Sequence, residues 1–473
     1  MAVKGSKADG LSFAADATAA GAAGVVVSAG RGNAAQLAGA ERVIEVTDER
    51  TALAVLARNL HGRIDERMPV VAVTGTNGKT TTCRITAEIL ECSGLKTGVL
   101  GTVSYRLGGE EIPAARTTPE APDIHRYLER MRSAGCGACV MEVSSHALAL
   151  RRVHGMGFAA AVFTNLTRDH LDYHGDMESY YQVKASLFTS LAVIGGRVPA
   201  AVVNTDDPYG RRLAASLAPA QQEGRVRLLT FGESPADFTM RSIQLEARGL
   251  SVQVQTPSGT STLRSPLVGR PNAYNVTAAA AVATAMGCDW SAVTAGVAAA
   301  GPVAGRMERV AADAARDPGF SVIVDYAHTD DALRGLLETV RSFTAGRVIV
   351  VFGCGGDRDR SKRPLMGAHA SRLAEVAFVT SDNPRSEKPE AIIEEILTGM
   401  EGGTAEIHVE PDRRKAIEAA IGIARPSDTV VIAGKGHETY QIIGDRVAPF
   451  DDRAVARTAL ARIHGAGEGD SHS

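Results

Sequence analysis

The stretch Val70 to Thr82, VVAVTGTNGKTTT, ends in the Gly-Lys-Thr of a loop built to cradle phosphate. The common phosphate-loop pattern puts four residues between its glycines and would need a glycine at Val73; here Thr76 and Asn77 alone separate Gly75 from Gly78. An apolar strand precedes the loop and a helical run, KTTTCRITAEILECSG, follows it. In that setting the backbone N–H groups of Gly75, Thr76, Asn77 and Gly78 face phosphate, and the helix N-terminus adds a favourable dipole. Lys79 then reaches the terminal phosphates, Thr80 ligates Mg²⁺, and Thr81 closes the run, so a nucleoside triphosphate is the expected ligand.

Other chemistry-bearing residues stand at the ends of apolar runs. Glu142 follows CVM, while Asp169, His170 and Asp172 follow FTNLT; strand-helix alternation sets both groups beside the phosphate loop. Taken singly, Glu142 and His170 read as strand-end residues that bond locally. Lys184 lies fourteen residues after His170 on a partly apolar helix face, and residue type alone reads as a surface lysine with its stem laid on apolar neighbours. GCGG at Gly353 is not a dinucleotide fingerprint, because its last glycine would have to stand at Arg358.

These residues need a scaffold, and the chain supplies one by alternation. Strands such as PVVAVTG, ACVMEVSS and AAAVFTNLT interleave with helical runs such as DIHRYLERMRSAG and MESYYQVKASLFTSL. That rhythm predicts an α/β protein with a mostly parallel sheet and a ligand crevice at the strand carboxyl ends. Between Phe238 and Leu267 the pattern becomes alternating and rich in Ser and Thr, predicting an antiparallel edge. After AAAGPVAGRME a second α/β unit begins, with strands in FSVIVDYAH, RVIVVFGCGG, VAFVTSDNPR and DTVVIAGKGHE. The 473 residues allow about three domains, at 1–67, 68–302 and 303–473. Net charge of -3 without a basic block argues against nucleic acid. Six irregularly spaced cysteines and the lack of a long apolar run point to a reducing cytoplasm and away from a membrane; Cys136 and Cys139, spaced CxxC, read as buried thiols.

The ordered motifs GTNGKTTT, TTPE, MEVSSHAL, TNLTRDHLDYHG, GRPNAYN, GRMERV, DYAHTDDAL, GCGGDRDRSKRPLMG, DNPR and GKGHETYQ resemble those of the Mur ligases of peptidoglycan synthesis, from about Ala2 to Ile463. In that family the short loop is normal. The resemblance implies three domains: an N-terminal domain, a central P-loop ATPase domain and a C-terminal Rossmann-like domain. It also implies a reaction in which ATP phosphorylates a carboxylate and an amine then attacks the acyl phosphate to form an amide.

Residue by residue, the resemblance implies that Lys79 and Mg²⁺ neutralise charge between γ-phosphate and carboxylate. Thr80 holds one Mg²⁺; Glu142, His170 and a Lys184 carbamylated by CO₂ help hold a second, which makes Lys79, Glu142, His170 and Lys184 the catalytic set. Carbamylation turns a metal-repelling cation into an anion with oxygen donors. Asn272 or Asn275 contacts adenine, Arg306 and Asp325 contact nucleotide from across the domain gap, and His328 either joins them or caps a helix. Ser6, Lys7, Ala8, Thr117, Thr118, Ser144 and Arg152 match positions that bind UDP-N-acetylmuramoyl-L-alanyl-D-glutamate; Leu150 stands where one family pattern has glutamine, so one hydrogen bond there is expected to be missing or rerouted. Asp382, Asn383, Pro384 and Arg385 look like the branch that adds meso-diaminopimelate rather than L-lysine. An arginine fork matches the distal carboxylate, so Arg385 with Arg358 reads it, while Glu438 and the Gly434 carbonyl receive the ammonium.

The family's first domain starts tens of residues upstream of the match to MAVKGSKADGLSFAADA, so a truncated first domain and a misassigned start at Met1 are expected. A monomer is expected as well. Competing readings are a folylpolyglutamate- or cyanophycin-type synthetase, disfavoured by DNPR with GKGHE, and a non-catalytic nucleotide-binding scaffold, disfavoured by the charged groups crowded at one crevice.

Overall fold

A computed structural model describes residues 1–5, 8–31, 39–246, 249–310 and 318–466. Its centre is an eleven-stranded sheet in the order Gly259–Ser265, Gly249–Thr256, Phe238–Glu246, Arg227–Gly232, Ala200–Asn204, Ala160–Phe163, Val70–Thr74, Ala138–Glu142, Thr97–Leu100, Ser104–Arg106, Glu111–Pro113. The strands from Phe238–Glu246 to Thr97–Leu100 pair in parallel, and the pairing beyond them on both flanks is antiparallel. The Ser- and Thr-rich segment therefore forms the expected antiparallel edge. Val70–Thr74 is buried along its whole length. It needs apolar residues on both faces because helices cover both, which is why it reads as a continuous apolar run.

Helix Lys79–Cys92 packs on Arg270–Ala285 and Trp290–Ala299. The alanine run of Arg270–Ala285 is fully enclosed, and its short side chains let it nest against both helix and sheet. At Gly296 an added Cβ would lie 2.4 Å from Ile89 Cα, so only glycine permits that approach.

A second, six-stranded sheet runs Glu308–Arg309, Ser321–Asp325, Thr429–Ala433, Val348–Phe352, Val376–Val379, Glu406–Val409. Four of these are the expected strands. Glu406–Val409 went unread because it is an edge strand, mostly exposed and without an apolar run. Near the N-terminus, Val25–Ser28 pairs in parallel with Val43–Val46, and Asp48 caps helix Glu49–Leu60 by accepting from Arg50 N and Thr51 N. The six cysteines are free, and burial raises the thiols of both Cys136 and Cys139. Among the described residues no helix is long and apolar enough to cross a membrane.

Candidate active site

The short loop is strapped from outside. Thr164 Oγ1 donates to Asn77 O at 2.6 Å, Asn77 N donates to Asn165 Oδ1 at 2.9 Å, and Thr76 N to Asn165 O at 2.9 Å. Gly75 (φ 145°) and Gly78 (φ 84°) adopt backbone that disfavours side chains, and a Cβ would overlap Thr164 Oγ1 at the first and Asn275 Oδ1 at the second. Lys79 Nζ bends back onto the carbonyls of Gly75 (3.0 Å) and Thr76 (2.7 Å). Burial lowers its pKa, against the pull of Glu142 and Asp169.

Glu142, fully buried, closes the neighbouring strand. Its Oε1 accepts from Thr102 N at 2.7 Å; its Oε2 accepts from Thr80 Oγ1 and Thr102 Oγ1, each at 3.0 Å. Lys184 corrects the surface reading of its residue type. Helix Met177–Thr189 turns Tyr180, Tyr181, Lys184 and Phe188 inward, leaving Lys184 1% exposed. Its Nζ donates to Gly75 O at 2.8 Å and lies 4.7 Å from the Tyr180 ring centroid. Desolvation first, then the Lys79 charge, pushes its pKa well below the usual lysine value. His170 is less enclosed, 42% exposed at its side chain, with Nε2 3.3 Å from Asp169 Oδ2 and its ring edge-on to His146 at 4.9 Å.

Gly78, Lys79, Thr80, Glu142, His170 and Lys184 border one cavity of about 940 Å³ that reaches the second sheet. Asn272, Asn275, Arg306 and Asp325 line it too. Asn275 Nδ2 donates to Asn272 Oδ1 at 2.9 Å while its Oδ1 accepts from Thr82 Oγ1 at 3.3 Å, so Asn275 braces the phosphate loop and Asn272 is braced by it. Arg306 stacks 4.6 Å over Tyr326; Asp325 accepts from Met307 N (2.7 Å) and Ala327 N (2.8 Å), and burial raises its pKa. The cap of helix Asp330–Arg341 is Thr329, not His328. His328 lines the cavity, its Nδ1 2.9 Å from Tyr326 O.

On the acceptor side the structure separates residues the sequence grouped. Thr117 and Ser144 line the cavity. Thr118 is fully buried: its Oγ1 donates to Glu142 O at 2.9 Å and accepts from Ser144 N at 3.0 Å, so its hydroxyl joins strand end to loop rather than facing a ligand. Arg152, 8% exposed, donates to Thr118 O at 3.0 Å and pairs with Glu120 at 2.7 Å. Ala8 is exposed, its carbonyl accepting from Gly5 N; Leu150 ends the short helix Ser145–Ala149; Ser6 and Lys7 lie outside the described residues.

In the second sheet two loops zip together. Gly356 N donates to Asn383 O at 2.9 Å, Arg385 Nη1 to Gly356 O at 2.7 Å, and Ser386 Oγ to Asp357 Oδ1 at 2.6 Å. A Cβ at Gly356 would overlap Pro384 O, so the glycines here serve close approach. Arg385 sits at φ 51° and Arg358 is exposed beside it. Behind them Arg363, with no exposed side chain, bonds Glu387 (2.8 Å) and Glu395 (2.9 Å). Asp382 lies against Gly434, and Asn383 Nδ2 donates to Glu438 Oε2 at 2.9 Å.

Residues 73–283 match the family description Mur ligase middle domain, and residues 305–436 match Mur ligase, glutamate ligase domain. A UDP-N-acetylmuramoyl-L-alanyl-D-glutamate–2,6-diaminopimelate ligase of Solibacter usitatus is 47% identical over 464 residues, covering 97% of this chain and 90% of that protein. The chain belongs to the Mur ligase family. Among solved Mur ligases, a UDP-N-acetylmuramoyl-L-alanyl-D-glutamate–2,6-diaminopimelate ligase superposes with a TM-score of 0.65 at 33% identity, over 96% of this chain and 90% of that one. Mycobacterium tuberculosis folylpolyglutamate synthase, solved with ADP and AMPPCP, superposes with a TM-score of 0.66 at 20% identity, over 87% of this chain and 95% of that one; this shows a shared fold alone.

Sequence reasoning about this Mur ligase missed Thr102, Arg363 and Lys435. Thr102 follows the strand Thr97–Leu100, and a polar residue at a parallel strand's carboxyl end was the available signal. Lys435 stood inside the GKGHE motif, but nothing local marks it as fully buried.

Proposed function

We propose that this Mur ligase uses ATP to join the amine of meso-2,6-diaminopimelate to the D-glutamate carboxylate of UDP-N-acetylmuramoyl-L-alanyl-D-glutamate, a step in building peptidoglycan precursors. The substrates are those in the names of its relatives. The observation that carries the reading is the shared cavity: phosphate loop, Glu142 and Lys184 on one wall, Arg306 and Asp325 on the other. A carboxylate is a poor electrophile, and phosphorylation makes it a good one. Lys79 lies where it can swing from the loop carbonyls to the terminal phosphates and lower the repulsion between two anions.

Thr80 Oγ1 and Glu142 Oε2, 3.0 Å apart, form an oxygen donor set that suits Mg²⁺, with His170 on the same wall. Bound there, Mg²⁺ would neutralise developing phosphate charge. Burial keeps Lys184 inclined to the neutral amine, the form that attacks CO₂: its nitrogen bonds the carbon, a proton leaves, and a carbamate results. In this reading Asn272 and Arg306 face the nucleotide, Asn275 and Thr118 hold loops in place, and Thr117, Ser144 and Arg152 serve the UDP substrate. Arg358, Arg385 and the Asp382–Glu438 corner receive the diaminopimelate. Domains at 1–67, 68–302 and 303–473 are supported by the separate sheets, and a cytoplasmic setting by the free thiols.

The test is phosphate release. Release that requires ATP, the UDP substrate and an amino acid together supports a ligase, and release from ATP alone at the same rate contradicts it.

A further inference from the structure

Beneath the two zipped loops lies a buried lysine that the phosphate chemistry does not use. Lys435 has no exposed surface, and its Nζ donates to Asn383 Oδ1 at 3.1 Å and to Glu438 Oε2 at 3.2 Å. The same ammonium lies 5.6 Å from the Tyr440 ring centroid, within cation–π reach. Asn383 Oδ1 also accepts from Ile442 N at 3.0 Å, and Asn383 Nδ2 donates to Glu438 Oε2. Both donors thus land on Glu438 Oε2, and Oε1 takes no hydrogen bond from the described residues.

Arg413 is already paired with Asp452 at 2.7 Å, and Glu438, with Asp382 in electrostatic reach, keeps Oε1 open, an acceptor that suits an ammonium group. Burying a lysine is costly unless its charge is paired and hydrogen-bonded, as it is here.

Resting on the proposed function, the geometry points to Lys435 as a positioning residue that clamps Asn383 and Glu438 so that Glu438 Oε1 receives the ammonium of the incoming amino acid. Lys435 acts through Glu438 and does not touch the reacting atoms. Burial and Asp382 raise the Glu438 carboxyl pKa, and Lys435 opposes that rise. The other groups that sense Glu438 are Arg413, Tyr326 and Tyr440, the last two neutral phenols raised by burial.

The experiment measures binding of meso-diaminopimelate and of ATP to the whole chain by calorimetry, for wild type, Lys435→Met and Lys435→Arg, between about pH 6 and 9. Lys435→Met is expected to weaken diaminopimelate by about 10-fold or more with ATP affinity within about twofold, since only the amino-acid corner loses its donor. Removing the cation raises the Glu438 pKa, so the acid limb of diaminopimelate binding moves to higher pH in Lys435→Met and is restored in Lys435→Arg. A merely structural lysine would move neither that limb nor the ratio of the two affinities. Unchanged diaminopimelate binding in Lys435→Met, or parallel loss of both ligands, overturns the role. If Lys435→Met does not fold, Lys435→Gln supplies the same comparison. Wild-type chain that binds L-lysine and not diaminopimelate contradicts the substrate in the proposed function, and the variants then test the clamp with L-lysine; wild type that binds neither contradicts both.

Discussion

Lys184 Nζ donates to the Gly75 carbonyl at 2.8 Å, joining two residues 109 positions apart. The bond places a buried amine against the first residue of the phosphate loop, so the loop and helix Met177–Thr189 report to each other. Lys79 shares the same carbonyl at 3.0 Å. Two lysines on one oxygen repel, and that repulsion adds to desolvation in lowering the Lys184 pKa.

Lys184→Ala should therefore lower turnover by roughly 10²–10³-fold, the scale of losing one preorganised group at developing charge. ATP affinity should change little, because Lys79 and the loop amides remain. Phosphate release and an ATP titration on the same sample separate the two; joint loss of both would mean that Lys184 only props the loop.

Thr102→Val removes the hydroxyl that bonds Glu142 Oε2 and leaves the Thr102 backbone bond to Oε1. Outer partners of metal-holding groups typically matter by roughly 10- to 100-fold. The expected result is a raised Mg²⁺ requirement of at least about 10-fold with an unchanged thermal midpoint. A Mg²⁺ titration of activity reads it, and an unshifted titration curve argues that the second oxygen is not used.

How far the sequence spoke depended on how local the cause was. Gly75, Gly78, Lys79 and Thr80 were legible because loop conformation is set by adjacent residues, and strand Val70–Thr74 because burial on both faces writes a continuous apolar run. Lys184 was legible only through the family resemblance, its residue type reading as surface, and Lys435 was not legible, because each is buried by elements distant in sequence: Lys184 by the phosphate loop, Lys435 by the Asp382–Arg385 turn and the Tyr440–Ile443 strand. Thr118 was legible as a motif residue, but only packing shows its hydroxyl satisfied inside.

Arg413 and Asp452 are both without exposed side-chain surface and are bound at 2.7 Å. Removing one partner leaves a buried charge unpaired, so Arg413→Ala should destabilise the second α/β unit by about 3–5 kcal/mol. Replacing both with apolar residues of similar volume should cost much less. Denaturant midpoints for the single and double variants check this, and equal losses in the two would contradict it.

His125 is 1% exposed, with neither ring nitrogen hydrogen-bonded, and burial lowers its pKa to about 4, against a partial lift from Asp65. The folded value lies below the unfolded one of 6.5, so its contribution to stability is complete above pH 6.5 and is lost as pH falls toward about 4. The loss amounts to roughly 3 kcal/mol across that window. His125→Leu should flatten stability between those pH values, as followed by thermal midpoint, whereas an unchanged slope would assign the acid sensitivity to other groups.

The most direct measurement is a competition. The chain is incubated with Mg-ATP, UDP-N-acetylmuramoyl-L-alanyl-D-glutamate and equal amounts of meso-diaminopimelate and L-lysine, and the products are weighed by mass spectrometry. A closed site that reads the distal carboxylate with Arg385 leaves that guanidinium without a carboxylate partner when lysine enters, a mismatch that can reject a substrate by about 10⁴-fold. The account predicts the diaminopimelate adduct alone. A lysine adduct in comparable amount would contradict it.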